Sequence, residues 1–542
     1  MKNLLFITIL LLLLNKEAHT QVSSNTGSQN IPIQSDEKWY GGAVNEGHNM
    51  PFQQGYLLNL YGDNRGNQAA PLLLSTRGKF IWSEGPFQFA FDHDQLVISQ
   101  AHGTIIIDSS GHSLAEAFKA ASKKFFPPSG KLPDTLLFSR PQYNTWIELL
   151  YNQNQDDILK YAHSIIDNGF PPGVLMIDDN WADYYGKFSF RKDRFTDAKK
   201  MIAELHKLGF KVMLWVSPFI SPDTEVSREL VVKKLVLMDN ENDSNATWDK
   251  AVKPAIINWW NGYSMVMDFT NPAGIKWFHQ QLDSMILMYG LNGFKFDGGD
   301  MEYYPRNVLS YKKATPNEQC ELWGTFGKWY PLNEYRAMWK NGGQPLVERL
   351  RDKRHAWEDV QKLIPHTIIA GLLGYQFTCP DMIGGGESGS FNGQDSLDQD
   401  LVVRSAQIST LLPMMQFSVA PWRILDSGHL NAIKRTVALR MKFTPYIMEL
   451  VNESAINGEP VIRSLEYRFP GQGFENVKDQ FMLGERNMVA PMTGKGFKRK
   501  VTFPKGTWKG DDGRNIKGPA TIEIQVPLER LPVFELVKAK YN

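Results

Sequence analysis

The stretch Leu291-Asn-Gly-Phe-Lys-Phe-Asp-Gly-Gly-Asp300 ends a short apolar run in a carboxylate, with a lysine two residues before it and two glycines after it. A buried strand over Gly293–Phe296 that stops in Asp-Gly-Gly sets Asp297 at its C-terminal mouth, on backbone that other groups can approach closely. In a parallel α/β barrel that mouth is where chemistry is assembled, and an acid there can serve as nucleophile or proton carrier. Other apolar runs end the same way. Ile177 is followed by Asp178-Asp179-Asn180-Trp181, Val216 by Ser217-Pro218 and Thr378 by Cys379-Pro380-Asp381, while a helix-rich segment upstream of the last adds Arg349, Asp352, Lys353, His355 and Trp357. Each acid alone has a structural explanation as a loop cap, turn residue or solvated helix face. Released together at one end of successive strands, they surround one cavity and point to carboxylate-driven hydrolysis. A divalent metal is the competing use of clustered acids. No HxH or HExxH pattern accompanies them, and Lys295 would repel a cation, so neither a metal nor an organic cofactor is expected.

The elements that must hold these residues fall into three blocks. From about Trp39 to His102, short apolar runs broken by Gly, Asn, Asp and Pro predict a β-sandwich, followed by a helix over Ser113–Phe126 with Ser113 as N-cap and Glu116 closing a capping box. From about Pro133 the rhythm becomes strand–helix: a strand at Trp146–Leu150, a helix at Gln155–Asn168, a buried strand at Gly173–Asp178, a helix at Asp197–Leu208 and a strand at Phe210–Val216. A helix at Pro272–Tyr289, the strand Gly293–Phe296, a helix at Val360–Leu372 and a strand at Tyr375–Thr378 continue it. Such alternation over some three hundred residues predicts a (β/α)8 barrel. The tail from about Glu459 returns to short strands and predicts a second β-sandwich. The expected division is therefore 21–132 (with a polar, disordered leader at 21–36), 133–455 and 456–542.

Composition narrows the function. The chain has 542 residues with 59 Lys+Arg against 58 Asp+Glu, a formal net charge of +1, so neither nucleic acid nor an anionic membrane surface is an expected partner. Residues 1–20 read as a secretory signal peptide: Lys2, an apolar run from Leu4 to Leu14, and a small-residue site before Gln21. That run is too short to cross a bilayer, and no later stretch is apolar for long enough. The expected location is periplasmic or extracellular. Cys320 and Cys379 are the two cysteines; a pair and two free thiols are equally open. Nothing in the sequence sets an oligomeric state.

Four segments carry a family likeness. GVLMIDDNW at 173–181, MVMDFTNPAGIKWF at 265–278, GFKFDGGD at 293–300 and GLLGYQFTCPDMIGG at 371–385 resemble glycoside hydrolase family 31, retaining α-glucosidases and α-galactosidases, and look closest to the branch holding myogenesis-regulating glycosidase and bacterial α-galactosidases. The likeness implies Asp297 as nucleophile and, from Asp352-Lys-Arg-His-Ala-Trp357, Asp352 as acid/base. Arg336 falls where the family places an arginine, with Arg349 as its rival. Asp178, Asp179, Lys295 and Asp381 become candidate ligands of an oligosaccharide or glycoside, and Trp215, Trp260 and Trp422 candidate stacking walls, each with a core role as the other reading. Asp300 stands where the glucosidases carry a glutamate. Lys295 and Trp422 shift the expected sugar toward an α-galactoside, with an α-glucoside as the alternative. Retention implies carboxyl groups about 5–5.5 Å apart. A sugar-binding pseudoenzyme and a metal-dependent barrel hydrolase are the readings from other classes.

Overall fold

The computed structural model describes residues 21–23, 27–391 and 397–538; the proposed signal peptide lies outside them. Its centre is a parallel eight-stranded barrel of β1 (Gln142–Asn144), β2 (Val174–Ile177), β3 (Lys211–Val216), β4 (Gly293–Phe296), β5 (Leu332–Tyr335), β6 (Val347–Arg349), β7 (Phe377–Cys379) and β8 (Gln416–Phe417). Neighbours in the chain are neighbours in the sheet, β8 pairs with β1, and a bridge between Met382 and Gln416 brings β7 to β8. Helices Gln155–Asp167, Ala198–Lys207, Pro272–Tyr289, Pro316–Gly324, Leu363–Leu372 and Gln399–Thr410 make the outer crossovers. Their starts follow from capping: Asn154, Asp197, Asn271, Thr315 and Asp398 each accept a backbone N–H of the first turn.

Before the barrel come two largely antiparallel sheets, one built on Gln68–Ser75 and Lys79–Ser83 and joined in parallel by Met338–Trp339 from the barrel segment, the other on Gln88–Asp92 and Gln95–Ser99. After it, six antiparallel strands, dominated by the hairpin Lys498–Gly510/Asn515–Gln525, enclose an apolar core of their own around Met482, Phe503, Trp508 and Phe534. Among the described residues, no helix is long and apolar enough to cross a membrane. Cys320 and Cys379 are both buried free thiols.

Several local expectations are corrected. The polar leader at 21–36 is not structureless, since Gln21–Ser23 pairs with Ile105–Ile107 and Gln29–Pro32 with Gln95–Ile98; backbone pairing, with Ile31 buried, supplies order that the polar composition hides. Trp146–Leu150 is no strand: Trp146–Leu149 is a short helix above the barrel mouth, and the strand is the preceding Gln142–Asn144. Arg349, placed in a helix-rich segment by its neighbours, ends β6.

Candidate functional site

Strand register brings the chemistry together. Trp215 on β3, Lys295 on β4 and Glu334 on β5 are aligned neighbours, and all three side chains are buried. Below them the barrel interior is polar. Gln416 donates to Gln142 (2.9 Å) and to Glu334 (2.8 Å), and Arg349 Nε lies 3.5 Å from Glu334. Burial pushes the Glu334 carboxyl up to about 7, against the pull of Arg349 and Lys295.

Asp297 follows β4 directly. Gly298 and Gly299 take φ of +65° and +71°, and a Cβ would come within 2.5 Å of Phe219 at the first and 2.2 Å of Trp323 at the second. Only glycine lets the chain turn away here and leave the carboxylate facing the cavity. Trp215 Nε1 donates to Asp297 Oδ2 at 2.8 Å, the Gly298 N–H donates to Oδ1 at 2.9 Å, and Lys295 Nζ stands 3.9 Å away. Burial opposes the charge, but Lys295, Arg336, Arg349 and the Trp215 hydrogen bond together bring the Asp297 pKa down to about 2. Lys295 Nζ donates to Asp178 Oδ2 at 2.6 Å. Burial works against that ammonium too and Arg349 adds to it, but Asp178, Asp297 and Glu334 together outweigh both, so its pKa is raised.

Asp352 sits across the cavity, its side chain 23% exposed, with an ion pair to Arg349 Nη1 and Arg336 Nη1 at 3.8 Å. Against burial, the two arginines hold its carboxyl below the usual range. Arg336 also reaches Asp300 (Nε to Oδ2, 3.4 Å) and lies 4.8 Å over the Trp260 ring. Asp300 is fully buried, and burial raises it to about 6. Asp179 accepts from Tyr185 OH (3.0 Å) and Asn261 (2.8 Å); burial and Asp178 push it to about 7.

Asp178, Asp179, Lys295, Asp297, Arg336, Arg349 and Asp352 thus line one cavity of about 370 Å³, walled by Trp215 and Trp260. Both rival arginines belong to it. Two predicted residues do not line it. Asp381 is buried behind the wall, bonded to Arg349 and to the backbone of Lys353 and Gly386. Trp422 packs on Tyr161 and Phe170, ring centroids 6.2 and 5.3 Å away; it follows β8 on a short helix whose ring faces the outer crossover. Sequence reasoning missed Trp146, Tyr151, Tyr303 and Met382 in the wall. Trp146 had been assigned to a strand, and Tyr303 stands only three residues past Asp300, where the acids drew attention.

The sandwich also reaches the site. Asn67 Nδ2 donates to the carbonyls of Arg336 and Arg349, both at 3.0 Å, and Gln68 Nε2 to the same two at 2.7 and 3.2 Å. Among the described residues, no cluster of three or more His, Cys, Asp or Glu side chains is arranged to hold a metal ion.

An eight-stranded α/β barrel with opposed carboxylates and interleaved cations at its C-terminal mouth defines the class of barrel proteins whose sites are made of acids. A profile described as glycosyl hydrolases family 31 TIM-barrel domain matches residues 137–450, and one for the glycosyl hydrolase family 31 C-terminal domain matches 458–538. The chain belongs to glycosyl hydrolase family 31. It is similar to myogenesis-regulating glycosidase of Mus musculus, 29% identical over 436 residues, covering 78% of this chain and 59% of that protein. It is also similar to alpha-glucosidase 2 of Bacillus thermoamyloliquefaciens, 25% identical over 416 residues, covering 70% of this chain and 50% of that one. The chain therefore spans between half and three fifths of the length of these relatives. Its fold matches a Flavobacterium johnsoniae family 31 dextranase complexed with glucose, TM-score 0.82 at 19% identity, over 95% of this chain and 67% of that one.

Proposed function

We propose that the protein hydrolyses terminal α-linked hexose with retention of configuration, with an α-galactoside as first substrate and an α-glucoside as the alternative. The observation that carries this is Asp297: a carboxylate at a barrel-strand mouth, held ionised by Lys295, Arg336, Arg349 and Trp215, in the same cavity as Asp352. The Asp297 carboxylate attacks the anomeric carbon as the bond to the leaving oxygen breaks, and that oxygen takes the Asp352 proton. Water, giving a proton to Asp352, then attacks the same carbon and frees Asp297. Asp178 and Asp179 accept hydrogen bonds from sugar hydroxyls, Arg336 donates them, and Trp260 covers the apolar sugar face. With Trp422 outside the cavity and Asp300 buried behind Arg336, the galactoside reading rests on Lys295.

The free protein starts from a different protonation state than the sequence-based scheme supposed. Asp352 is not held protonated by its surroundings, because Arg349 and Arg336 favour its charged form. That same ion pair is the observation favouring a second reading, a sugar-binding protein without turnover. Assays of para-nitrophenyl α-galactoside and α-glucoside side by side, with Asp297→Asn and Asp352→Asn, decide between them. Turnover is expected to vanish in the first variant; in the second it is expected to fall because Asp352 no longer activates water, with cleavage of a disaccharide falling further, by about 10²–10⁴-fold. Cleavage of neither glycoside leaves the binding reading, faster glucoside cleavage selects the alternative sugar, and loss of activity to a chelator selects metal-dependent hydrolysis. NMR of the first-formed product tests retention, which requires the α anomer. Export through cleavage of residues 1–20 is part of the proposal, and a mature N-terminus near Gln21 is its expected signature.

A further inference from the structure

Asp381 occupies a costly position for a residue that the cavity does not reach. Its φ is +87°, in the left-handed region that L-residues avoid, and its side chain is buried. All of its bonding runs to donors. Oδ1 accepts from Arg349 Nη1 at 3.0 Å, and Oδ2 accepts the Lys353 N–H at 2.8 Å and the Gly386 N–H at 3.1 Å. Two of these three partners lead directly to Asp352: Lys353 is the next residue in the chain, and the same Arg349 nitrogen that bonds Asp381 is ion-paired with Asp352 Oδ1.

We propose that Asp381 is a positioning residue for Asp352: by anchoring Arg349 with one carboxylate oxygen and the Lys353 N–H with the other, it sets where the Asp352 carboxyl stands and how it hands a proton to a leaving oxygen. The inference rests on the reading of Asp352 as proton donor. The charged groups around the unit are Arg349, Asp352 and Lys353 beside Asp381, and Asp297, Arg336, Lys295 and Glu334 beside Arg349 and Asp352. Asparagine at 381 presents an NH₂ group to three donors and can satisfy only one side of this arrangement.

The test compares two leaving groups in the full-length protein. Melibiose leaves as a sugar hydroxyl and needs the proton, whereas para-nitrophenyl α-galactoside needs it far less; isomaltose and para-nitrophenyl α-glucoside replace them if glucose is the preferred sugar. In Asp381→Asn, kcat/KM for the disaccharide, which reports the step in which the leaving oxygen takes its proton, is expected to fall about tenfold or more beyond any fall for the nitrophenyl substrate. KM is expected to hold and the alkaline limb of the pH profile to move. Gly386→Ala is the second variant. Its Cβ would come 2.7 Å from Asp381 Oδ1, displacing the carboxylate while keeping its charge, and the same discrimination is expected at smaller amplitude. If Asp381→Asn does not fold, Gly386→Ala decides alone. Equal losses on both leaving groups, or a rise in KM with kcat and pH profile unchanged, overturn the proposal. Failure of the underlying reading looks different: Asp352→Asn itself then loses both substrates equally.

Discussion

At the residue scale, one cavity sets two carboxyls to the same charge by different means. Asp297 is held by a lysine, two arginines and an indole N–H; Asp352 by two arginines. For Asp297 the folded pKa of about 2 lies below the unfolded 3.8. Its contribution to stability is therefore fully present above the unfolded value and is lost as pH falls through the folded one. For catalysis the consequence is on the other side. Productive attack needs Asp297 ionised and Asp352 protonated, and the lowered Asp352 pKa places that combination on the acid side of neutrality. For a disaccharide, kcat/KM is expected to peak at acidic pH and fall toward neutrality, while nitrophenyl glycosides lose less; a flat profile from pH 5 to about 8 for both would sink this. Trp215→Phe removes a hydrogen bond to a charged acceptor, about 1.5–3 kcal/mol. It is expected to lower kcat about tenfold or more and to move the acid limb upward, read from the same profile. Asp297 was legible in the sequence because Asp-Gly-Gly after an apolar run has a geometric meaning. Asp381 and Trp422 were not, because position at a strand end says nothing about which way the side chain turns.

At the scale of elements, the strands that read well are those whose buried side chains are mostly apolar, with a single charge such as Lys295 among them. Gly293–Phe296 and the helix Pro272–Tyr289 have the bounds that their residues predicted. β5 and β6 did not announce themselves, because Leu-Asn-Glu-Tyr and Val-Glu-Arg carry Asn333, Glu334, Glu348 and Arg349 in fully buried positions. A polar barrel interior erases the apolar signal that strand recognition depends on. The same hidden strands explain why the sandwich matters to the site. Asn67 and Gln68 satisfy the carbonyls of Arg336 and Arg349, just beyond β5 and at the end of β6. Removing a buried partner costs about 1–3 kcal/mol. Asn67→Ala with Gln68→Leu is therefore expected to lower thermal stability and, by loosening both arginines, to reduce kcat/KM several-fold without contact to substrate. Unchanged kinetics alongside a lowered melting temperature would separate the two effects and remove the sandwich from the site.

Across the whole molecule, one buried apolar cluster runs from Ile31 in the N-terminal sandwich through the barrel to Val533 near the end of the chain, so the three blocks legible in the sequence share a core. The last block keeps a second core of its own and is joined to the barrel partly by polar contacts. Arg404, on the crossover helix before β8, donates to the carbonyls of Val526 (2.8 Å), Pro527 and Gly496 (both 3.3 Å), and Gln407 one turn on donates to Leu528 at 2.6 Å. Burial lowers the Arg404 pKa against the pull of Asp400 and Glu529. Arg404→Ala orphans several of those oxygens at about 1–3 kcal/mol each, a loss confined to the seam between barrel and tail. The tail is therefore expected to come away first on heating, with protease cleavage between residues 456 and 500 at temperatures where the barrel still resists. Because the helix stands outside the cavity, kcat and KM measured in the cold should stay near wild type. A parallel fall in activity would mean instead that the tail holds the β7–β8 mouth, where Met382 bridges to Gln416, in its working shape.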